Sequence, residues 1–260
     1  MRRVVGVVGA FFQVGATILA GVAISEAVSE GPPSPVEPAG YAFGVWAVIF
    51  LFSLLFAVYQ ALPANRENTI LRRVGWPVAG AFLCTGLWSV FVPLRQFGFA
   101  QAMLLGVFVL LLVAYLRLAR SDPGALSRAD RWFVSLAIGP FLGWVTAANA
   151  VSLTSEAVRW GFVDARGVGE VLVGFVLLIS GGLLAAAITR AGRNGPPQGY
   201  AAFAVTVLWA LAAVVVAQYE VSFVTTGAVA ALPVLIFLLR ALRGGRTRPG
   251  ARRSAHPRVA

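Results

Sequence analysis

A small set of aromatic and amide side chains carries what chemistry this chain offers. Phe43 and Trp46 stand three residues apart, as do Trp88 and Phe91, so on a helix each pair shares a face. Trp144 heads the run Trp144-Val145-Thr146-Ala147-Ala148-Asn149, which adds small and polar groups to the same segment. Several such faces turned inward would line a flat, apolar, aromatic cavity with few hydrogen bonds. A planar hydrophobic ligand suits that lining, and each stacking contact adds about 0.5–1.5 kcal/mol beyond area burial. The same pairs serve equally well as plain packing between helices, and the residues alone leave both readings open.

Other chemistries lack their residues. The sequence has no glycine loop ending in GK[ST], no nucleophile elbow, no HExxH and no paired carboxylates within one apolar segment. Its single cysteine, Cys84, excludes an intramolecular disulfide and any thiolate cluster, and its apolar surroundings read as packing. The single histidine, His256, lies in an arginine-rich tail, so no imidazole-built metal or haem site is expected. The expectation is a protein with no catalytic residues, no metal ligands and no resident cofactor, one that is not an enzyme.

The elements that must position these side chains follow from composition. Of 260 residues, 59% are hydrophobic and 12% charged, and the mean hydropathy is +0.83. A soluble domain runs near 45–50% apolar and about 25% charged, so lipid, not water, must cover this chain. A membrane helix needs roughly 20 apolar residues. Eight segments meet that need, at about 4–25, 40–62, 76–94, 99–118, 132–154, 169–189, 200–219 and 221–240. The fold class is therefore all-α, a polytopic membrane bundle of about eight transmembrane helices.

Charge placement tests the count independently. All 21 basic residues are arginines, and with eight spans and a cytoplasmic start, 18 of them fall on the cytoplasmic side. Only Arg95, Arg159 and Arg166 fall outside, which is the bias that short cytoplasmic loops carry. The net charge of +11 is thus read as topology and not as a nucleic-acid footprint. No segment has an Asp, Glu or Arg near its middle, which argues against an ion-coupled pump. Trp76, Trp132 and Trp160 lie at segment ends, where indoles favour the bilayer interface, while Trp209 falls within a segment.

The first apolar stretch follows Arg2-Arg3 and resembles a secretory signal, but its length of about 22 residues exceeds the usual core of about 7–15. It is expected to stay as a helix. Gly40/Gly44 and Gly139/Gly143 have the GxxxG spacing that lets helices approach closely. From 241 onward the Gly/Arg/Pro-rich tail cannot bury a core; it either fixes topology or meets anionic headgroups.

Three stretches, in order, are similar to the TspO/MBR family, the tryptophan-rich sensory proteins related to the mitochondrial translocator protein. Pro38-Ala39-Gly40-Tyr41-Ala42-Phe43-Gly44-Val45-Trp46 resembles the family's PPxWxFxxVW. Trp88 through Ala100, with Arg95-Gln96-Phe97-Gly98-Phe99-Ala100 at its end, resembles W…FFxxRQxGxA. Pro140-Phe141-Leu142-Gly143-Trp144 resembles PYLxW. Tyr41 and Phe99 stand where the family has tryptophans, and Asn149 comes earlier than the asparagine of its LNY.

The resemblance implies a TspO-like five-helix bundle over 1–155; the family usually ends after five helices, whereas the apolar segments of this chain add three over 156–240, followed by a tail over 241–260 read as disordered and cytoplasmic. It implies a pocket for a porphyrin- or sterol-like ligand, with Phe43, Trp46, Trp88, Phe99 and Trp144 carried over as pocket positions. Phe91 and Asn149 join them from the local reading. The loop from Glu26 to Pro38 would be the lid. The expected function is that of a receptor or carrier, in which a porphyrin or haem-type molecule would be ligand and not cofactor. A small-solute permease, a tetrapyrrole-modifying enzyme and a ligand-free scaffold are the alternatives. Expected partners are the ligand, membrane lipids and a second copy of the chain. The all-arginine bias suggests a GC-rich bacterial genome, hence the bacterial cytoplasmic membrane with both termini cytoplasmic.

Overall fold

Apolar runs broken by turn residues become helices because, in lipid, only a helix or a closed barrel satisfies every backbone group. The computed structural model describes residues 1–30, 34–122, 124, 126–165 and 167–219. Within them the helices are α1 (Arg2–Ser29), α2 (Val45–Ala61), α3 (Thr69–Phe91), α4 (Phe97–Ala119), α5 (Ser135–Arg159), α6 (Val168–Ala191) and α7 (Pro197–Gln218). All seven are long and apolar enough to cross a membrane. No strand occurs among the described residues. The chain is an all-α multi-pass bundle. The expected eighth segment at 221–240 and the tail lie outside the described residues.

Helix ends differ from the hydropathy boundaries where polar residues continue a helix. α3 starts at Thr69 instead of about 76 because the Asn68 side chain caps it. Its Oδ1 accepts from the N–H groups of Ile70 (2.9 Å) and Leu71 (3.0 Å). α5 runs on to Arg159, past the expected end at 154. At its start a π-helical turn, Asp130–Val134, brings the carboxylate of Asp130 inside. There Oδ1 accepts from Tyr59 Oη (3.0 Å) and Asn68 Nδ2 (2.8 Å), and Oδ2 accepts from Ser127 Oγ (2.7 Å).

α5 is the axis of the bundle. Its most apolar window is 78% buried, against 17% for α1, which faces outward along most of its length. α3 packs between α1 and α4, while α5 meets α2, α4, α6 and α7. α5 seats closely on α7: a Cβ added at Gly139 would lie 2.6 Å from the carbonyl oxygen of Gly199, and one at Gly143 would lie 2.7 Å from that of Phe203. Here GxxxG seats a helix as its spacing suggested. Gly40 and Gly44 do not act this way; they fall in a short 3-10 turn, Gly40–Gly44, and nothing stands within 4 Å of an added Cβ.

Candidate functional site: an aromatic cavity under the 34–39 segment

Sequence order brings one end of several helices together: the last turn of α3, the first turns of α2 and α4, and the C-terminal halves of α5 and α7. A partly open cavity of about 170 Å³ lies among them. On α5 the lining residues Trp144, Ala148, Val151, Ser152, Ser155 and Arg159 recur at helical spacing along one stripe. Ala210 and Val214 of α7 close one wall, and Ser34, Glu37 and Pro38 lie across the top.

Four of the expected residues meet here: Phe43, Trp46, Trp88 and Trp144 all line the cavity. Trp46 is the hub. Its ring stacks on Trp88 with centroids 6.4 Å apart, and meets Trp144 edge-on at 6.4 Å and Phe141 edge-on at 5.8 Å. Phe43 meets Trp144 edge-on at 5.5 Å. Trp144 is buried, whereas Phe43 is 45% exposed. The rings meet one another face to face and edge to face and give this side of the cavity an aromatic surface.

Three expected residues stand elsewhere. Phe99 is 61% exposed and packs on Phe91, centroids 5.6 Å apart; neither lines the cavity. Phe97 takes the place expected of Phe99. α4 begins at Phe97, and two residues turn about 200° around a helix, so 97 and 99 point to opposite sides. Asn149 lies one layer behind the wall. Its Oδ1 accepts from Gln101 Nε2 (3.0 Å), and its Nδ2 donates to the carbonyl oxygen of Val145 (2.7 Å). Gln101 itself lines the cavity and accepts from Ser152 Oγ (2.5 Å).

The polar end of the cavity was not foreseen. Glu156 and Arg159 both line it, and Arg159 Nε donates to Glu156 Oε1 (3.2 Å). The Arg159 guanidinium also lies 3.6 Å over the centre of the Phe97 ring, a cation–π contact. Hydropathy placed both residues in a loop after 154. Their i, i+3 spacing, and the seven residues from Asn149 to Glu156, were the available signs of a continuing helix.

The covering segment is tied down from α7. Gln218 Nε2 donates to the carbonyl oxygens of Ser34 (3.3 Å) and Glu37 (3.1 Å), and Ala39 N–H donates to that of Ala213 (3.0 Å). Val36 is buried, with its Cγ1 at 2.9 Å from where a Cβ would stand on Gly174 of α6. The expected lid therefore begins later than Glu26, which is still in α1; its residues 31–33 lie outside the described residues. Beside it, Glu30 pairs with Arg95, joining the end of α1 to the α3–α4 turn. The bond to Arg95 holds the Glu30 carboxyl below its usual range, and Glu30 in turn raises Arg95. Arg95 sits in left-handed backbone, φ 56°.

No cluster of three metal-ligating side chains occurs among the described residues. A family model described as TSPO-like protein matches residues 4–241, which includes all eight apolar segments. No curated protein and no solved structure matches the chain.

Proposed function

The chain belongs to the TSPO-like protein family and is a multi-pass membrane protein of the TspO type, and from that premise we propose that it binds a hydrophobic planar ligand, porphyrin- or sterol-like, within the bundle. The observation that carries this reading is the meeting of Phe43, Trp46, Trp88 and Trp144, from three separate segments, on one cavity. Helix packing alone needs no opening between such rings, because close-packed interiors leave few voids larger than a water molecule. An engineered apolar cavity of about 150 Å³ holds benzene. A partly open cavity of about 170 Å³ accommodates the edge of a larger flat molecule, the rest projecting out of it.

In this reading the protein acts as a receptor or carrier, and the ligand undergoes no covalent change. The arginine distribution puts both termini in the cytoplasm, so the mouth opens on the other side of the bilayer, the bacterial cytoplasmic membrane in this proposal. A tryptophan-fluorescence titration of the detergent-purified protein with a porphyrin tests the binding. Saturable quenching is expected, with Kd raised about twofold to fivefold in Trp46→Phe or Trp144→Phe, since a phenyl ring keeps part of the about 0.5–1.5 kcal/mol that an aromatic contact supplies. Quenching that rises linearly and ignores both substitutions would mean partitioning into the micelle and would end the proposal.

A further inference from the structure

Glu156 is the cavity residue whose bonding is incomplete. It is 3% exposed, it lines the cavity, and Arg159 engages its Oε1. Its Oε2 is buried with no hydrogen-bond partner among the described residues, and no other cavity-lining side chain carries such an atom. The adjacent polar groups leave it alone: Ser152, Gln101 and Asn149 bond to one another and to the Val145 carbonyl. A buried carboxylate oxygen without a donor costs more than a neutral group would, so this position favours an incoming N–H or O–H. Oε2 is buried beside the cavity, so a ligand donor reaches it through a partial turn of the outer Glu156 torsions, during which Arg159 stays on Oε1.

We propose that Glu156 is the polar anchor of this site, accepting a hydrogen bond from an N–H or O–H at the edge of the bound ring system. The proposal rests on the cavity binding a planar hydrophobic ligand and narrows that class to molecules with a donor on the rim. The donor is neutral: Arg159 already balances the Glu156 charge, so a second cation would carry uncompensated charge into a mostly apolar site. A ring system lacking a donor fits the same slot and leaves the oxygen unsatisfied. Discrimination of this kind is steep, because it sets a buried polar group with a partner against the same group without one.

Carbazole and dibenzofuran test this directly, since they share a flat three-ring shape and differ in an N–H replaced by an ether oxygen. Their Kd values are measured by fluorescence titration with wild-type protein, Glu156→Gln and Trp144→Phe, with Tm as the check on folding. In Glu156→Gln the remaining oxygen still accepts from Arg159, and an NH2 replaces the free acceptor. Wild type is expected to bind carbazole at least about tenfold more tightly than dibenzofuran. In Glu156→Gln the NH2 faces the N–H of carbazole as donor against donor and can donate to the ring oxygen of dibenzofuran, so that preference is expected to vanish or reverse. Equal affinities in wild type, or a preference unchanged by Glu156→Gln, would overturn the anchor and leave the aromatic cavity standing. If Glu156→Gln does not fold, the wild-type ratio decides alone. Saturable binding of neither probe, or binding of both that ignores Trp144→Phe, would overturn the cavity reading and the anchor with it.

Discussion

A buried carboxylate is tolerable where donors surround it, and two of those buried among the described residues, Asp130 and Glu156, differ in their bonding. Asp130, 2% exposed, accepts from Tyr59, Asn68 and Ser127, and its own N–H is held by Ser127 Oγ (3.0 Å). Glu156 has one such partner, Arg159. The first therefore reads as a structural clasp joining α2, the α3 cap and the start of α5; the second reads as a group awaiting a ligand. Asp130→Ala leaves four donors without their acceptor, the Ser127 backbone N–H among them, and stability is expected to fall by about 3 kcal/mol in chemical or thermal unfolding. Because Asp130 lies in the turn before α5 and does not line the cavity, probe affinity in the fraction that remains folded should not change. A parallel loss of affinity would show that the two ends of α5 are coupled.

Element-scale behaviour turns on how closely α5 and α7 approach. Gly143 touches the Phe203 backbone, and a backbone atom cannot swing aside as a side-chain tip can. Gly143→Ala is expected to cost about 1–3 kcal/mol through forced separation of the helices. It should also weaken ligand binding, since Ala210 and Val214 on the displaced helix form a cavity wall. Gly44→Ala provides the contrast: its added methyl meets nothing within 4 Å, and stability should stay within about 0.5 kcal/mol. Thermal unfolding of the two variants in the same detergent checks the pair; equal losses would contradict the close α5–α7 seat. The two GxxxG spacings look alike in sequence and differ only in whether a second helix lies against them.

For the molecule as a whole, the cavity is closed by parts far apart in the chain. Residues 34–39 cover it, and they are held by Gln218 at the end of α7 and by the Val36 seat on Gly174 of α6. Helices beyond the fifth thus supply both a wall and the fastening of the cover. Gln218→Leu removes two hydrogen bonds worth about 1 kcal/mol each, so opening should become roughly tenfold to thirtyfold more frequent. Stopped-flow dissociation of a bound porphyrin should speed up by a similar factor, with little change in Tm. An unaltered dissociation rate would place the exit route elsewhere, between helices and not under the segment.

Membrane residence and the seven described spans were legible in the chain alone, because lipid imposes one length and one composition on every spanning helix. Trp46, Trp88 and Trp144 were legible for a related reason: large rings within apolar segments, spaced to share faces with other aromatics, have few places to go. The tertiary structure alone decided between Phe97 and Phe99, because a shift of two residues reverses a helical side chain and the start of α4 fixes which one turns inward. It also decided that Asn149 lies behind Gln101, that Glu156 lines a cavity and that Gln218 fastens a segment some 180 residues away. Each of these depends on which distant segment faces which. Composition and periodicity, being local, record the face a helix offers but not the partner that meets it.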